Sequence, residues 1–288
     1  PRRWAGRPQP MPPDASPRAY DALDVAVTLL KKREGIDKTL KLARYAALFA
    51  LGEAKARARP SAESSEFVRA TTALERSIGD ARRAYRLGKF LGNVRDFRDE
   101  VRENEGAGKR GRARWLTAAA ACAALEGAYY FIEQGVWLSK AGVAMRRRST
   151  LERLVRWSAR AEVASYAFSI ACSREDWLEA DAAARAARAR LRDVETAKAS
   201  ALERGDDEGV VISLTADVNE AEKAKRKAVL AICQDVADGV LSFEDAVDVA
   251  GFEIPNERLV NLLGLLAAAL DFHGKLDDAI ESLDESSR

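Results

Sequence analysis

Residues Gly127 to Gly142 read GAYYFIEQGVWLSKAG, and a little upstream Ala81 to Leu91 read ARRAYRLGKFL. The first is an aromatic, glycine-punctuated apolar segment at helical spacing. The second interleaves cations with Tyr85, Leu87, Phe90 and Leu91 in the manner of a basic amphipathic helix. Neither holds the groups of an active site, and together they point to work at a membrane.

From Leu116 to Ile132 the only charged residue in 17 positions is Glu126, and over the whole stretch to Met145 the charges before the closing basic run are Glu126, Glu133 and Lys140. Their seven-residue spacing advances only about −20° per step on a helix, so the three share one face. The opposite face is Ala, Gly, Leu, Tyr, Phe, Val and Trp. About 20 mainly apolar residues suffice to span a bilayer, and the charged stripe would then face other helices. Tyr129, Tyr130 and Trp137 suit an interfacial belt. Lys109, Arg110, Arg112 and Arg114 precede the segment and Arg146, Arg147 and Arg148 follow it, so cation counts give no orientation. Leu259 to Leu270 is a second apolar run, too short to span alone and read as a tilted anchor or a core helix.

The segment Leu74 to Val101 changes face. Leu74, Ile78, Ala81 and Tyr85 lie on one side, whereas Leu87, Phe90, Leu91, Val94, Phe97 and Val101 lie nearly opposite. A bend at Gly88 explains this, as does a helix sandwiched between protein and lipid. Arg82, Arg83, Arg86 and Lys89 flank the switch, where long cationic side chains reach phosphate with their stems on apolar surface. The alternative is a bundle helix with a solvated charged face. Asp37 to Lys55 confines its polar residues Asp37, Lys41, Arg44 and Lys55 to a narrow strip, as expected of a helix buried in a bundle or laid at a lipid interface.

The 288 residues suffice for one or two packed units. From Tyr20 onward, helix formers dominate and no strand alternation is sustained, which predicts about seven helices divided at Gly35 (with Asp37 as the next N-cap), Arg59 to Ser61, Gly106 to Gly111, Ser149-Thr150, Gly205 to Gly209 and Gly251 to Asn256. Six of the 8 prolines fall in residues 1–17, which predicts a flexible leader over 1–19 with Met11 a candidate start. Residues 20–288 are then a single helical unit, with a charged, solvent-exposed hairpin at about 175–227 and an acidic tail at 276–288.

The charges, 47 Lys+Arg against 45 Asp+Glu, nearly cancel, so no global field draws the chain to nucleic acid. Cys122, Cys172 and Cys233 are widely spaced, which fits neither a disulfide framework nor a metal site. A single histidine, His273, leaves no Ser/His or Cys/His pair and no multi-histidine metal centre. Gly106-Ala-Gly108-Lys-Arg-Gly111 matches a dinucleotide fingerprint in letters only, because a charged helix rather than a strand precedes it. Asp206, Asp207 and Glu208 lack the alternate spacing of a calcium loop. The expectation is a protein without catalytic residues, cofactor or metal.

Four ordered blocks carry a resemblance: Gly35-Ile36-Asp37-Lys38-Thr39-Leu40-Lys41-Leu42 with Tyr45, Ala81 to Phe90, Glu126 to Gly142, and Asp235 to Asp238 with Pro255 to Leu266. Over about Tyr20 to Lys275 the chain resembles the peroxin-11 family, the membrane-elongation factors of peroxisomes. The resemblance implies an all-α, membrane-associated helical bundle with amphipathic helices and one or two hydrophobic membrane-embedded helices. It implies a peroxisomal membrane protein with cytosolic termini that elongates the organelle before fission. Ile78, Arg82, Arg83, Tyr85, Arg86, Leu87, Lys89, Phe90 and Leu91 would bind anionic lipid, and Glu126, Tyr129, Tyr130, Glu133, Trp137 and Lys140 would form an embedded helix seam. Its partners would be the lipid bilayer, further copies of the chain, and a fission machinery of adaptor and dynamin-related GTPase. Two other readings stand beside it: a metabolite pore lined by Glu126, Glu133 and Lys140, and a soluble helical scaffold whose apolar runs are all core. The Pro-rich leader, the charged segment from Glu175 to Lys227 and the acidic tail depart from the family pattern.

Overall fold

A computed structural model describes residues 21–57, 66–108, 113, 115–144, 147–200, 208–247 and 257–286. The Pro-rich leader, the expected breaks at 59–61 and 251–256, and Lys109, Arg110, Arg112, Arg114 and Arg146 lie outside the described residues. Among those residues the chain forms eight helices: α1 (Ala22–Lys31), α2 (Arg33–Arg57), α3 (Glu66–Tyr85), α4 (Phe90–Gly106), α5 (Ala118–Lys140), α6 (Arg148–Ser200), α7 (Glu208–Ala246) and α8 (Glu257–Ser286).

Local chemistry sets several ends. The Asp21 carboxylate accepts from the Leu23 amide and opens α1, and the Thr117 hydroxyl accepts from the Ala120 amide to open α5, each satisfying an otherwise orphaned donor. α5 closes at Gly142, whose φ of +79° is open to glycine at little cost. Gly35 and Asp37 do not separate helices as expected. The break falls at Lys32, and Gly35 sits inside α2 because a Cβ there would collide with the Leu29 carbonyl of α1. That glycine marks a close approach rather than a stop.

Packing closes a cycle. α2 lies against α3, α3 against α5, α5 against α6, α6 against α7, α7 against α8, and α8 returns to α2. α4 packs outside this ring on α5, and α1 on α8 and α2. The long pair α6–α7 runs antiparallel, as the ion pairs Asp181–Lys225 and Arg188–Glu222 show. Its seam is alanine: Ala180, Ala184, Ala187, Ala228 and Ala237 are buried. The 175–227 region comprises the facing halves of these two longer antiparallel helices. The acidic tail likewise continues α8, held by Glu281 to Lys223 and Asp278 to Lys227.

Burial is inverted relative to a soluble bundle. Among the described residues 12 of the 18 buried apolar residues are alanines, and Asp37, Lys41, Arg82, Asn93, Gln134, Asp235, Asp238, Asn261 and Asp271 are buried with them. The large apolar side chains point outward instead: Leu23, Val27 and Leu30 on α1, Leu91 and Val94 on α4, Val229, Val236, Val240 and Phe243 on α7, and Leu259, Leu262 and Leu266 on α8. Single exposed leucines are ordinary, but a polar, alanine-lined interior with rows of exposed Val, Leu and Phe is not.

The spanning segment also differs from expectation. Arg258–Asp284 of α8 is the one helix among the described residues long and apolar enough to cross a membrane. The run at Leu259–Leu270 does not stop, because Asp271 finds Lys38 and Lys41 on α2 and the helix continues to Ser286. α5, the segment favoured by its apolar sequence, turns Tyr129, Tyr130, Gln134 and Val136 into the bundle.

Candidate functional site

The reversal of face at Gly88 is a change of helix. α3 ends at Tyr85, residues 86–89 form a turn with Gly88 at φ +74°, and α4 begins at Phe90. Arg33 fastens this turn by donating to the carbonyls of Tyr85 and Leu87. The consequence for charge is an inversion of the sequence-based expectation. Arg82 is 7% exposed and its Nε donates to Asp37 Oδ1 at 3.1 Å. Arg86 donates to both Asp37 oxygens, to the Tyr129 hydroxyl at 3.0 Å and to Glu133 at 3.5 Å. Lys89 donates to the Tyr130 hydroxyl at 2.7 Å and sits over that ring. These cations do not form an outward row for lipid phosphate; Arg83 alone pairs at the surface, with Asp80 at 3.0 Å.

Asp37 is the reason. Burial alone would raise its carboxyl, but Arg86 and Arg82 outweigh burial and hold it at about 2. The residue expected to cap a helix is the buried counter-ion of two guanidinium groups that arrive from 45 and 49 residues further along the chain.

The apolar members go the other way. Leu87, Leu91 and Val94 are 55%, 62% and 58% exposed at i, i+4 and i+7. Tyr85 is exposed beside them, Ile78 is half-buried in α3, and half-buried Phe90 meets exposed Phe131 of α5 edge to face at 5.4 Å. The turn and the start of α4 therefore present an apolar surface backed by buried charge.

On α5 the three-charge stripe faces inward. Glu126 accepts from Asn93 of α4 at 2.8 Å, Glu133 meets Arg86, and Lys140 reaches the mouth of a cavity at the centre of the helical ring; Trp137 is half-buried. That cavity, about 250 Å³, is lined from α2, α3, the 86–89 turn, α5, α6 and α7. Its wall carries six cations, Lys41, Arg44, Arg82, Arg83, Arg86 and Lys140, against the carboxyls of Glu133, Glu162 and Asp238. Burial pushes Glu162 above the usual carboxyl range, against Arg86 and the hydrogen bond from Ser242. Burial and the nearby charges of Arg83 and Arg44 lower the Lys140 ammonium. The sequence drew no attention to this chamber, because Lys41, Arg44, Glu162 and Asp238 lie far apart along the chain and only helix packing gathers them. The Glu126–Lys140 stripe was its one legible wall.

A second buried cluster joins the ring. Lys41 donates to Asp238 and Asp271, both at 2.6 Å, Lys38 pairs with Asp271, and Gln234 donates to Asp271 at 2.9 Å. It ties α2, α7 and α8 where Tyr45 packs on Gly264, a glycine whose Cβ would overlap the Tyr45 ring.

A closed ring of helices with buried charge clusters, rows of exposed Leu, Val and Phe and one helix among the described residues long enough to cross lipid defines an all-α, membrane-associated bundle. The sequence matches the family Peroxisomal biogenesis factor 11 (PEX11) over residues 23–274. It is 29% identical over 265 residues to Peroxisomal membrane protein 11A of Arabidopsis thaliana, covering 89% of this chain and 93% of that one. It is 31% identical over 259 residues to Peroxisomal membrane protein 11-3 of Oryza sativa subsp. japonica, covering 90% of each. The chain belongs to the PEX11 family of peroxisomal membrane proteins. No solved structure matches it.

Proposed function

We propose that the protein bends and elongates the peroxisomal membrane before fission, as a multi-helix integral protein with cytosolic termini and no catalytic role. The observation that carries this reading is the inverted burial: Leu87, Leu91 and Val94 form an outward apolar row beside Phe131, while the neighbouring cations are neutralised inside. An apolar ridge placed shallowly in one leaflet expands that leaflet relative to the other, and the area asymmetry favours curvature. Repetition along a tubule would come from homo-oligomers, and scission from a fission adaptor with a dynamin-related GTPase.

Raising the level of the protein should give longer or more numerous peroxisomes, and removing it should leave fewer, larger ones, read by imaging a fluorescent matrix marker. Unchanged number and shape in both conditions would contradict the reading.

The charged chamber favours a second reading, a pore for small metabolites lined in part by Glu133 and Lys140. Solute flux from liposomes holding the purified protein, with no change in vesicle shape, would select it.

A further inference from the structure

The central cavity has a chemical bias that neither bending nor scission uses. Arg82 lines it, is 93% buried, and commits only Nε, to Asp37; Nη1 and Nη2 meet no acceptor among the described residues. Those nitrogens are not sealed in the interior, and the residue lines the cavity. Among the described residues Arg83 commits only Nη1, to the exposed Asp80. Lys140 stands at the mouth in no ion pair among the described residues, and Arg44 keeps Nη1 free beside its Glu75 contact. Glu133 lines the same wall but gives no acceptor to it: one oxygen lies 3.5 Å from Arg86 and the other is enclosed.

Unspent guanidinium donors with an ammonium match the fan of acceptors on a tetrahedral oxyanion. We propose that this cavity binds a phosphate monoester or inorganic phosphate, held by Arg82, Arg83, Arg44 and Lys140. The site lies inside the ring, apart from the outward apolar row, and its occupancy would stiffen α2, α3, α5 and α6 against one another. The inference does not depend on the proposed function.

The test uses the full-length protein in uncharged detergent micelles, titrated calorimetrically at pH 7 and fixed ionic strength. One arm adds sodium phosphate, with sulfate and chloride as controls. The other adds dihexanoyl phosphatidic acid, with dihexanoyl phosphatidylcholine as its control. Saturable binding in both arms assigns the site to free and lipid-borne phosphate alike; binding in the lipid arm alone assigns it to a headgroup. Lys140→Gln and Arg83→Gln, which leave the Asp37–Arg82 pair intact, should each weaken binding roughly tenfold through loss of one charge-assisted contact. Sulfate, of the same tetrahedral shape, should bind as well. The proposal is overturned by no saturable binding in either arm, by heats that chloride reproduces, or by unweakened binding in both mouth variants.

Discussion

Replacing Asp37 with alanine removes the only carboxylate among the described residues that Arg82 contacts and the principal one for Arg86. Arg82 is almost fully buried and Arg86 nearly so, and neither can swing to water without leaving the bundle. Breaking a buried pair in this way costs about 3–5 kcal/mol, because the charge left behind stays desolvated without compensation. The carboxyl itself gives a partial check. Its folded value of about 2 against an ordinary 3.8 corresponds to about 2 kcal/mol, at about 1.4 kcal/mol for each tenfold change in proton affinity. The larger figure for Asp37→Ala includes the stranded guanidinium groups. Since the folded pKa is depressed, this contribution is fully present above about pH 4 and is lost as pH falls towards 2. Thermal unfolding in detergent, followed by circular dichroism, should place Asp37→Ala roughly 10 °C below the parent at pH 7. The gap should narrow between pH 4 and pH 2 as the parent's carboxylate protonates. A variant melting within about 2 °C of the parent at pH 7, or a gap that does not change with acid, would refute the buried-counter-ion account.

Gly264→Ala should destabilise by about 1–3 kcal/mol in the same melt, because the added methyl overlaps the Tyr45 ring across the α2–α8 contact; Gly92→Ala, with open space around its Cβ in α4, is the clash-free control and should stabilise by up to about 1 kcal/mol. Asp235 is held at about 6, chiefly by burial and against a hydrogen bond from Ser169, so its contribution is present below about pH 4 and lost as pH rises through 6; Asp235→Asn should flatten that part of the stability profile. Leu87→Glu with Leu91→Glu should leave the melting temperature within about 2 °C, since both side chains are exposed, yet should abolish tubulation of vesicles by the purified protein; intact tubulation would disconnect the apolar row from remodelling.

How much of this was legible depends on which contacts are local. Helix content followed from composition, and the change at Gly88 was visible as a reversal of the apolar face. The direction of each face was not visible, because periodicity shows which residues share a side and leaves open which side is inside. In a soluble bundle the apolar side is inside. Here Arg82 and Arg86 turn inward because Asp37, one helix earlier, neutralises them, and no local rule connects positions 45 residues apart. For the same reason Asp37 read as a helix cap and Gly35 as a stop. Among the described residues the helix long and apolar enough to cross lipid is α8 rather than α5 for a different reason. α5 is apolar in sequence but spends its tyrosines on buried cations, whereas the acidic residues that seemed to end α8 are paired with Lys38, Lys41, Lys223 and Lys227 and let the helix run on.

The central claim is that the bundle turns its rows of exposed Leu, Val and Phe to lipid and buries the charge clusters around Asp37 and Lys41. Nitroxide labels at position 91 of α4, position 240 of α7 and position 266 of α8, introduced one at a time after changing Cys122, Cys172 and Cys233 to serine, test it directly by electron paramagnetic resonance in reconstituted bilayers. All three sites should be readily relaxed by oxygen, which partitions into lipid, and poorly by a water-soluble nickel chelate, with a label at exposed Arg95 showing the reverse. Ready relaxation by the nickel chelate at positions 91, 240 and 266 would place those faces in water and contradict the account.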